Sequence, residues 1–462
     1  MVFSSLEFIF IFLPIFLILY FPSPKKYKNR LLFLASIIFY AYGSIKQPFF
    51  ILLIFGSVLV NYFLGLKIEE KGSRKGYLIA GILYNFGWLF LFKYCAFFTT
   101  EINHLFSNFN IPVLDFVLPI GISFYTFQTV SYLIDVYHKE VKAERSFINF
   151  GTYIIMFPQL IAGPIVTYKS IRKELDSRRT NIDNFYFGLK YFILGLGYKV
   201  LLANRIGSLW TDIQGIGFES ISTPLAYLGI IAFTFQIYFD FYGYSLMALG
   251  LGKMLGFTLP INFDYPYLSR SMSEFWRRWH ITLGSWFKKY VYIPLGGNRK
   301  GKIKTVRNLL VVWLLTGLWH GASWNFVLWG FVIFIFIMLE KLWFQKFLEK
   351  HAIFSRIYMM ILISFTWTIF AVTNMKDLIV LLARLNPFSK GINVYALDYL
   401  KYLQSYGILL VIGIFFCTRI PDKFLKNCKN GFLEIILYLA IFWLSIYCLC
   451  MEANDPFLYF RF

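Results

Sequence analysis

Long apolar runs constrain this chain more than any other feature: Phe8–Phe21, Phe49–Leu66, Tyr77–Phe98 and Phe432–Cys450. They are of the order of the ~20 residues that carry a helix across a bilayer. Lipid offers no water to backbone N–H and C=O groups, so such a run has to satisfy them internally, as a helix. The runs are continuous rather than alternating, which excludes a transmembrane β-barrel. Hydrophobic residues make up 58% of the 462, and charged residues 15%. Soluble domains average about 45–50% and about 25%, so a water-soluble enzyme and a disordered protein are excluded too. The expected fold class is an all-α polytopic membrane protein of about 10–13 helices.

The net charge of +21, from 45 Lys and Arg against 24 Asp and Glu, would suggest a nucleic-acid partner in a soluble protein. Here the excess sits in short loops between apolar runs, as the positive-inside rule requires, and no nucleic acid is expected. Lys25, Lys26, Lys28 and Arg30 place the first loop in the cytoplasm and the N-terminus outside. The basic stretches Lys67–Lys75 and His138–Arg145 then fall inside, and Thr99–Asp115, with no Lys or Arg, falls outside. The first apolar segment lacks a basic leader and a small-residue cleavage site, so a retained helix is expected. The five cysteines form no CxxC, which argues against zinc and disulfides, and no metal site is expected.

Three stretches break the alternation. Phe147–Val166 is apolar but basic at both flanks, and holds Pro158, Gln159, Gly163 and Pro164. Irregular backbone at membrane depth is tolerated only where protein or a cavity encloses it, so a re-entrant segment is expected. Phe185–Asn204 exits, Ile206–Pro224 is an outside loop, and Leu225–Gly252 returns. Lys253–Arg307 is too charged to span, yet Phe275–Ile293 carries apolar residues at helical spacing, which suggests amphipathic or half-inserted helices. Finally Val306–Trp319 and Phe326–Leu339 flank the turn-like Gly321–Asn325, so a hairpin would carry His320 at its tip; two full spans are the alternative. One membrane domain over residues 1–450 is expected, followed by an aromatic extracytoplasmic tail, 451–462.

Ionisable groups inside a membrane are expensive, which makes each a candidate for function. Of the five histidines, His104, His138 and His351 fall in loops. His320 lies between apolar segments, where a neutral imidazole either takes a proton or braces a turn. His280 ends the basic aromatic segment Glu274–His280, whose Arg277, Arg278 and Trp279 either anchor an interface or grip a phosphate-bearing donor. Asp240 either orients a histidine or pairs with a basic residue between helices. Gly296-Gly297-Asn298 reads as a turn. Spacing alone leaves an enzyme, a transporter and a flippase open.

Several motifs narrow this. Pro260-Ile261-Asn262-Phe263, Tyr267-Leu268, Arg270-Ser271 and Ser273-Glu274-Phe275-Trp276-Arg277-Arg278-Trp279-His280 resemble a signature of the membrane-bound O-acyltransferase family. So do Tyr292-Ile293-Pro294-Leu295-Gly296-Gly297-Asn298-Arg299 and Leu315–Phe326, which includes Trp319, His320 and Asn325. Phe157–Ile165 and Phe33–Tyr42 add further matches, and the nearest likeness is to the bacterial alginate O-acetylase and peptidoglycan O-acetylation branch. One departure is Leu246, where relatives commonly carry an Asp in the pattern that follows Phe239-Asp240-Phe241.

The resemblance implies a ring of helices around a thin centre, with a funnel to a buried histidine. It implies catalytic roles for His320, His280 and Asp240, and donor or substrate contacts from Arg277, Arg278, Trp279, Trp319 and Asn325. It implies no bound cofactor; the donor substrate would be acetyl-CoA or another acyl thioester. The tail Met451–Phe462 resembles a C-terminal aromatic motif whose tyrosine, here Tyr459, would carry the acyl group transiently; an interfacial anchor is the other reading. The expected activity is O-acetylation of an exported envelope polysaccharide (alginate-like, peptidoglycan or another wall glycan) from the bacterial cytoplasmic membrane. An extracytoplasmic Ser-His-Asp hydrolase-like acetyltransferase would be the partner. D-alanyl or other acyl transfer to a teichoic-acid-type polymer, and a non-catalytic transporter or flippase, are the alternatives.

Overall fold

The computed structural model describes residues 1–70, 72–106, 110–161, 163–389, 391–392, 394–427, 431–451 and 458, the side chains of 424–427 excepted. Among these residues no β-strand forms, and a single isolated antiparallel bridge joins Phe263 to Trp279. Eight helices among them are long and apolar enough to cross a membrane: Phe49–Glu69, Arg74–Leu105, Ile182–Ile216, Thr223–Met254, Trp324–Lys350, Ala352–Ala371, Asp398–Phe416 and Gly431–Met451. The shorter apolar helix Phe8–Tyr20 joins them. So do Lys25–Gly43 and Lys302–His320, which begin in basic residues, and the 16-residue Ile122–Tyr137. The protein is a multi-pass, all-helical membrane protein.

The chain divides into two compact units, Met1–Phe192 with Tyr244–Ile261, and Ile193–Gly243 with Asn262–Phe462. In the first unit, the segment expected to re-enter is a broken helix. Phe147–Ile155 has nine residues, about 14 Å of helix, too short for the ~30 Å hydrocarbon core. The break at Met156 is enclosed by protein: Phe150 through Leu160 are all buried. Its freed backbone is satisfied by side chains, because Phe157 N–H donates to Ser36 Oγ at 3.0 Å and the Gln159 amide donates to the Tyr153 carbonyl.

In the second unit, two expectations need correction. The helix that was to end near Asn204 continues to Ile216 through a π-helical stretch, Tyr198–Asn204. Ile206, Leu209, Trp210 and Ile213, on one helical face, form a buried stripe that holds the continuation against its neighbours. The apolar spacing of Phe275–Ile293 likewise hides a break. Met272–Arg278 and Ile281–Phe287 are separate seven-residue helices, with His280 between them at φ +44°.

Two helices, Lys302–His320 and Trp324–Lys350, flank the turn beside His320, the second of them long enough to span. They touch backbone to backbone. A Cβ on Gly317 would lie 2.3 Å from the Phe326 carbonyl oxygen, and one on Gly330 would lie 2.4 Å from that of Trp313. Only glycine fits either crossing, and van der Waals packing of this kind is what joins helices in lipid. The Gly296-Gly297-Asn298 stretch is a turn, with φ of +107° and +56° at its glycines. Asn308 holds it by donating to the Gly297 carbonyl at 2.9 Å.

Candidate active site

Every group of the site lies in the second unit. The helix Met272–Arg278 starts at Ser271, whose Oγ accepts the Glu274 N–H at 3.1 Å, while the Glu274 carboxylate reaches back to the Arg270 N–H at 2.9 Å. This reciprocal cap satisfies backbone donors that a short helix would otherwise leave bare. Glu340 accepts the Met272 N–H at 2.8 Å and so ties the start of this helix to Trp324–Lys350. Glu274 also pairs with Arg278 at 2.8 Å, one turn on.

The chain then turns sharply. His280 takes a left-handed conformation that costs energy in a non-glycine residue and persists only when its surroundings fix it. They do so from both sides: Asp264 N–H donates to the Arg278 carbonyl, and Ile281 N–H donates to the Asn262 carbonyl, each at 3.0 Å. The Asn262 side-chain oxygen accepts the Thr282 hydroxyl at 2.7 Å and stands 3.3 Å from His280 Nδ1. The His280 ring is 2% exposed and meets the Phe241 ring edge-on at 4.8 Å. His280 lies outside the eight spans, and burial pushes its pKa down to about 3, so the ring is neutral at neutral pH. Donation from Nδ1 to Asn262 puts the lone pair on Nε2.

His320 ends its helix at Gly321 and is 5% exposed. Three aromatic rings box it: Trp319 at 5.0 Å, Trp329 at 5.1 Å and Phe370 at 5.2 Å, all near perpendicular. Trp319 also faces His280 at 5.8 Å, so one indole borders both imidazoles. Asn325, fully buried, donates to the Ile369 and Phe370 carbonyls at 3.2 and 3.1 Å and accepts the Ser323 hydroxyl. Its amide therefore fixes the backbone that carries one wall of the box.

A cavity of about 630 Å³ opens onto both histidines, walled by Trp276, Trp279, Trp313 and Thr316 and edged by Arg277 and Lys341. A second cavity of about 640 Å³ borders it and shares Ser273, Arg277 and Lys341. The second is polar and cationic: Arg270, Arg277, Arg278, Lys341, Arg356 and Arg419 line it, against Glu274, Glu340 and Glu349. Arg278 and Arg419 are occupied by acidic partners, both of them reaching Asp264. An aromatic chamber with two imidazoles thus adjoins a chamber suited to negative charge.

Of the residues singled out in the sequence, His280, His320, Trp279 and Arg277 come together around the first cavity, and Trp319 borders both imidazoles. Arg278 faces the second and is braced by Glu274. Asp240 is held by Lys199 Nζ at 2.9 Å, the pairing with a basic residue, and by the Leu458 N–H at 2.9 Å; Phe241, its neighbour, meets His280. Tyr459 lies outside the described residues. Sequence reasoning missed Lys199 and Glu340, and gave Asn262 no role beyond its place in a motif. Lys199 carried a readable signal, since a lysine within a span demands an acidic or carbonyl partner.

The sequence profile of MBOAT, the membrane-bound O-acyltransferase family, matches residues 74–383. The chain is 36% identical to the probable alginate O-acetylase AlgI of Pseudomonas putida, over 100% of both chains. It is 42% identical to the probable alginate O-acetylase AlgI of Pseudomonas aeruginosa, over 71% of this chain and 63% of that one, so this match spans less than two thirds of that relative. It is also 30% identical to the peptidoglycan O-acetyltransferase of Helicobacter pylori, over 100% of this chain and 98% of the other.

Proposed function

The chain belongs to the membrane-bound O-acyltransferase family, and from that premise we propose that it transfers an acyl group, acetyl, from a cytoplasmic thioester for O-acetylation of an exported envelope polysaccharide. The observation that carries the reading is the joined pair of chambers, one aromatic with His280 and His320, the other cationic, meeting at Arg277 and Lys341. A thioester donor such as acetyl-CoA has matching halves. Its phosphates suit the arginines, which bind phosphate as bidentate donors, and its acyl end suits the tryptophan walls.

In this scheme His320 is the general base. Its imidazole takes the proton of an acceptor hydroxyl as the oxygen attacks the thioester carbonyl. The new ester C–O bond forms, the C–S bond breaks, and the departing thiolate takes a proton in turn. His280 borders the same space through Trp319. Tyr459 is the first acceptor in this proposal, with an extracytoplasmic Ser-His-Asp transferase completing delivery to the glycan. The chain sits in the bacterial cytoplasmic membrane with both termini outside.

The test is acetate released by mild alkali from purified envelope glycans. A strain lacking the protein is restored with wild type or with His320→Ala at matched membrane levels. Acetate restored by wild type and absent with His320→Ala is the expected result, and the fraction containing it names the acceptor. Equal acetate in all strains overturns the reading, and D-alanine esters assayed in the same hydrolysates then test the other acyl class.

A further inference from the structure

The helices Ile182–Ile216 and Thr223–Met254 cross with almost no space between backbones. A Cβ on Gly243 would lie 2.6 Å from the Gly195 carbonyl oxygen and 2.8 Å from the Lys199 nitrogen. That approach, one turn from Asp240, lets Lys199 reach across. Its Nζ stands 2.9 Å from Asp240 Oδ1 and donates to Asn204 Oδ1 at 2.7 Å, with side chains 0% and 3% exposed for the pair. Lys199 sits in the π-helical stretch Tyr198–Asn204, a distortion frequently found at functional sites.

A buried pair of this kind gains little stability, since desolvation offsets the attraction. Helix packing alone needs only the carboxylate and the ammonium. Asp240 does one thing more: its second oxygen, Oδ2, accepts the backbone N–H of Leu458 at 2.9 Å, from 218 residues along the chain. Leu458 is itself 6% exposed. The preceding helix, Gly431–Met451, leans on the same stretch: a Cβ on Gly197 would lie 2.7 Å from the Ile441 side chain, and Arg205 donates to Cys448 Sγ at 3.4 Å.

We propose that the Lys199–Asp240 pair is the seat of the C-terminal segment, with Asp240 a positioning residue that holds the chain at Leu458, one residue before Tyr459. Paired through Oδ1 with the Lys199 ammonium, the carboxylate offers Oδ2 to a backbone N–H as a charge-assisted bond. Recognition through a backbone group makes the seat indifferent to the side chain at 458.

Two measurements decide this, and neither reads acyl transfer, so the proposal and the assigned activity fail separately. Hydrogen exchange of the unaltered protein in detergent comes first: the Leu458 amide exchanges at least about tenfold slower than an unprotected amide. Exchange at the unprotected rate overturns the seat. Second, Leu458→Cys is placed in a background with Cys95, Cys417, Cys428, Cys448 and Cys450 replaced by alanine, and its maleimide labelling is timed. Asp240→Met together with Lys199→Met removes both charges and leaves neither stranded, so the helices stay packed. Labelling of Leu458→Cys then speeds up about tenfold, while gel filtration is unchanged. Labelling that stays as slow as with the intact pair means the pair merely joins helices, and the proposal fails.

Discussion

The rings of His320 and Trp329 meet edge to face, with centroids 5.1 Å apart and planes at 88°. Trp329 is fully buried and stacks in turn on Trp367 at 5.9 Å. The histidine therefore rests on a column of indoles. Trp329→Phe keeps a ring edge in place and should leave acetate output within a few fold. Trp329→Ala opens a cavity costing about 3–5 kcal/mol. It should lower both the melting temperature of the detergent-solubilised protein and the output per molecule. Equal effects of the two substitutions would mean that the ring contact does not set the histidine.

Asn325 acts on the same box from outside. Asn325→Ala strands two carbonyls, at Ile369 and Phe370, at about 1–3 kcal/mol. The expected outcome is a lower kcat with an unchanged KM for the donor, because Phe370 touches His320 and neither residue borders the cationic chamber. Steady-state kinetics on purified protein check this, and a rise in KM alone would contradict it.

Arg277 and Lys341 stand where the two chambers meet. Arg277→Glu should raise KM for an anionic thioester about five- to tenfold, the scale of one exposed charge contact and its reversal, with little change in kcat. The effect should shrink at high ionic strength as the field is screened. A donor lacking phosphates should show no difference between Arg277 and Arg277→Glu.

His280 predicts an acid limb in stability. Its folded pKa is pushed down to about 3 from 6.5, so in the interval between them the unfolded chain binds a proton that the folded one refuses. The contribution of this site to stability is complete above about pH 6.5 and declines as the pH falls towards 3, by up to about 1.4 kcal/mol per pH unit. Thermal unfolding of wild type and His280→Gln from pH 4 to 8 checks it. The difference between the two curves should tilt below pH 6.5 and stay level above it.

The apolar runs and the positions of their basic flanks were enough to predict a multi-pass helical protein and to put His320 at a turn between two apolar arms. Both features rest on local composition, and a membrane turns composition into structure directly. His280 was found by its motif, but its left-handed backbone was not, because the apolar spacing runs through it unbroken. What bends the chain there is a contact with Asn262 and Phe263, reached only in the folded state. The Asp240–Lys199 pair was one of two readings of Asp240, and its partner stayed hidden. The two residues belong to different helices, and the close crossing that joins them depends on Gly243. The extension to Ile216 was missed because Thr211, Asp212 and Gln214 lower the mean hydropathy of a stretch whose other face is buried.

Gly317 and Gly330 bring the two helices that flank the turn into backbone contact just below His320. The main chain at such a tip is held by this contact while the rings of Trp319, Trp329 and Phe370 hold the imidazole, so its place is set before any substrate arrives. Change in the chamber walls away from those three rings is thereby uncoupled from the position of the imidazole. Residues such as Thr316 or Trp313 can be exchanged to admit a longer or bulkier acyl group while the imidazole stays where it is. A chassis of this kind is a good starting point for redesigning acyl-chain selectivity, provided both glycines are left alone.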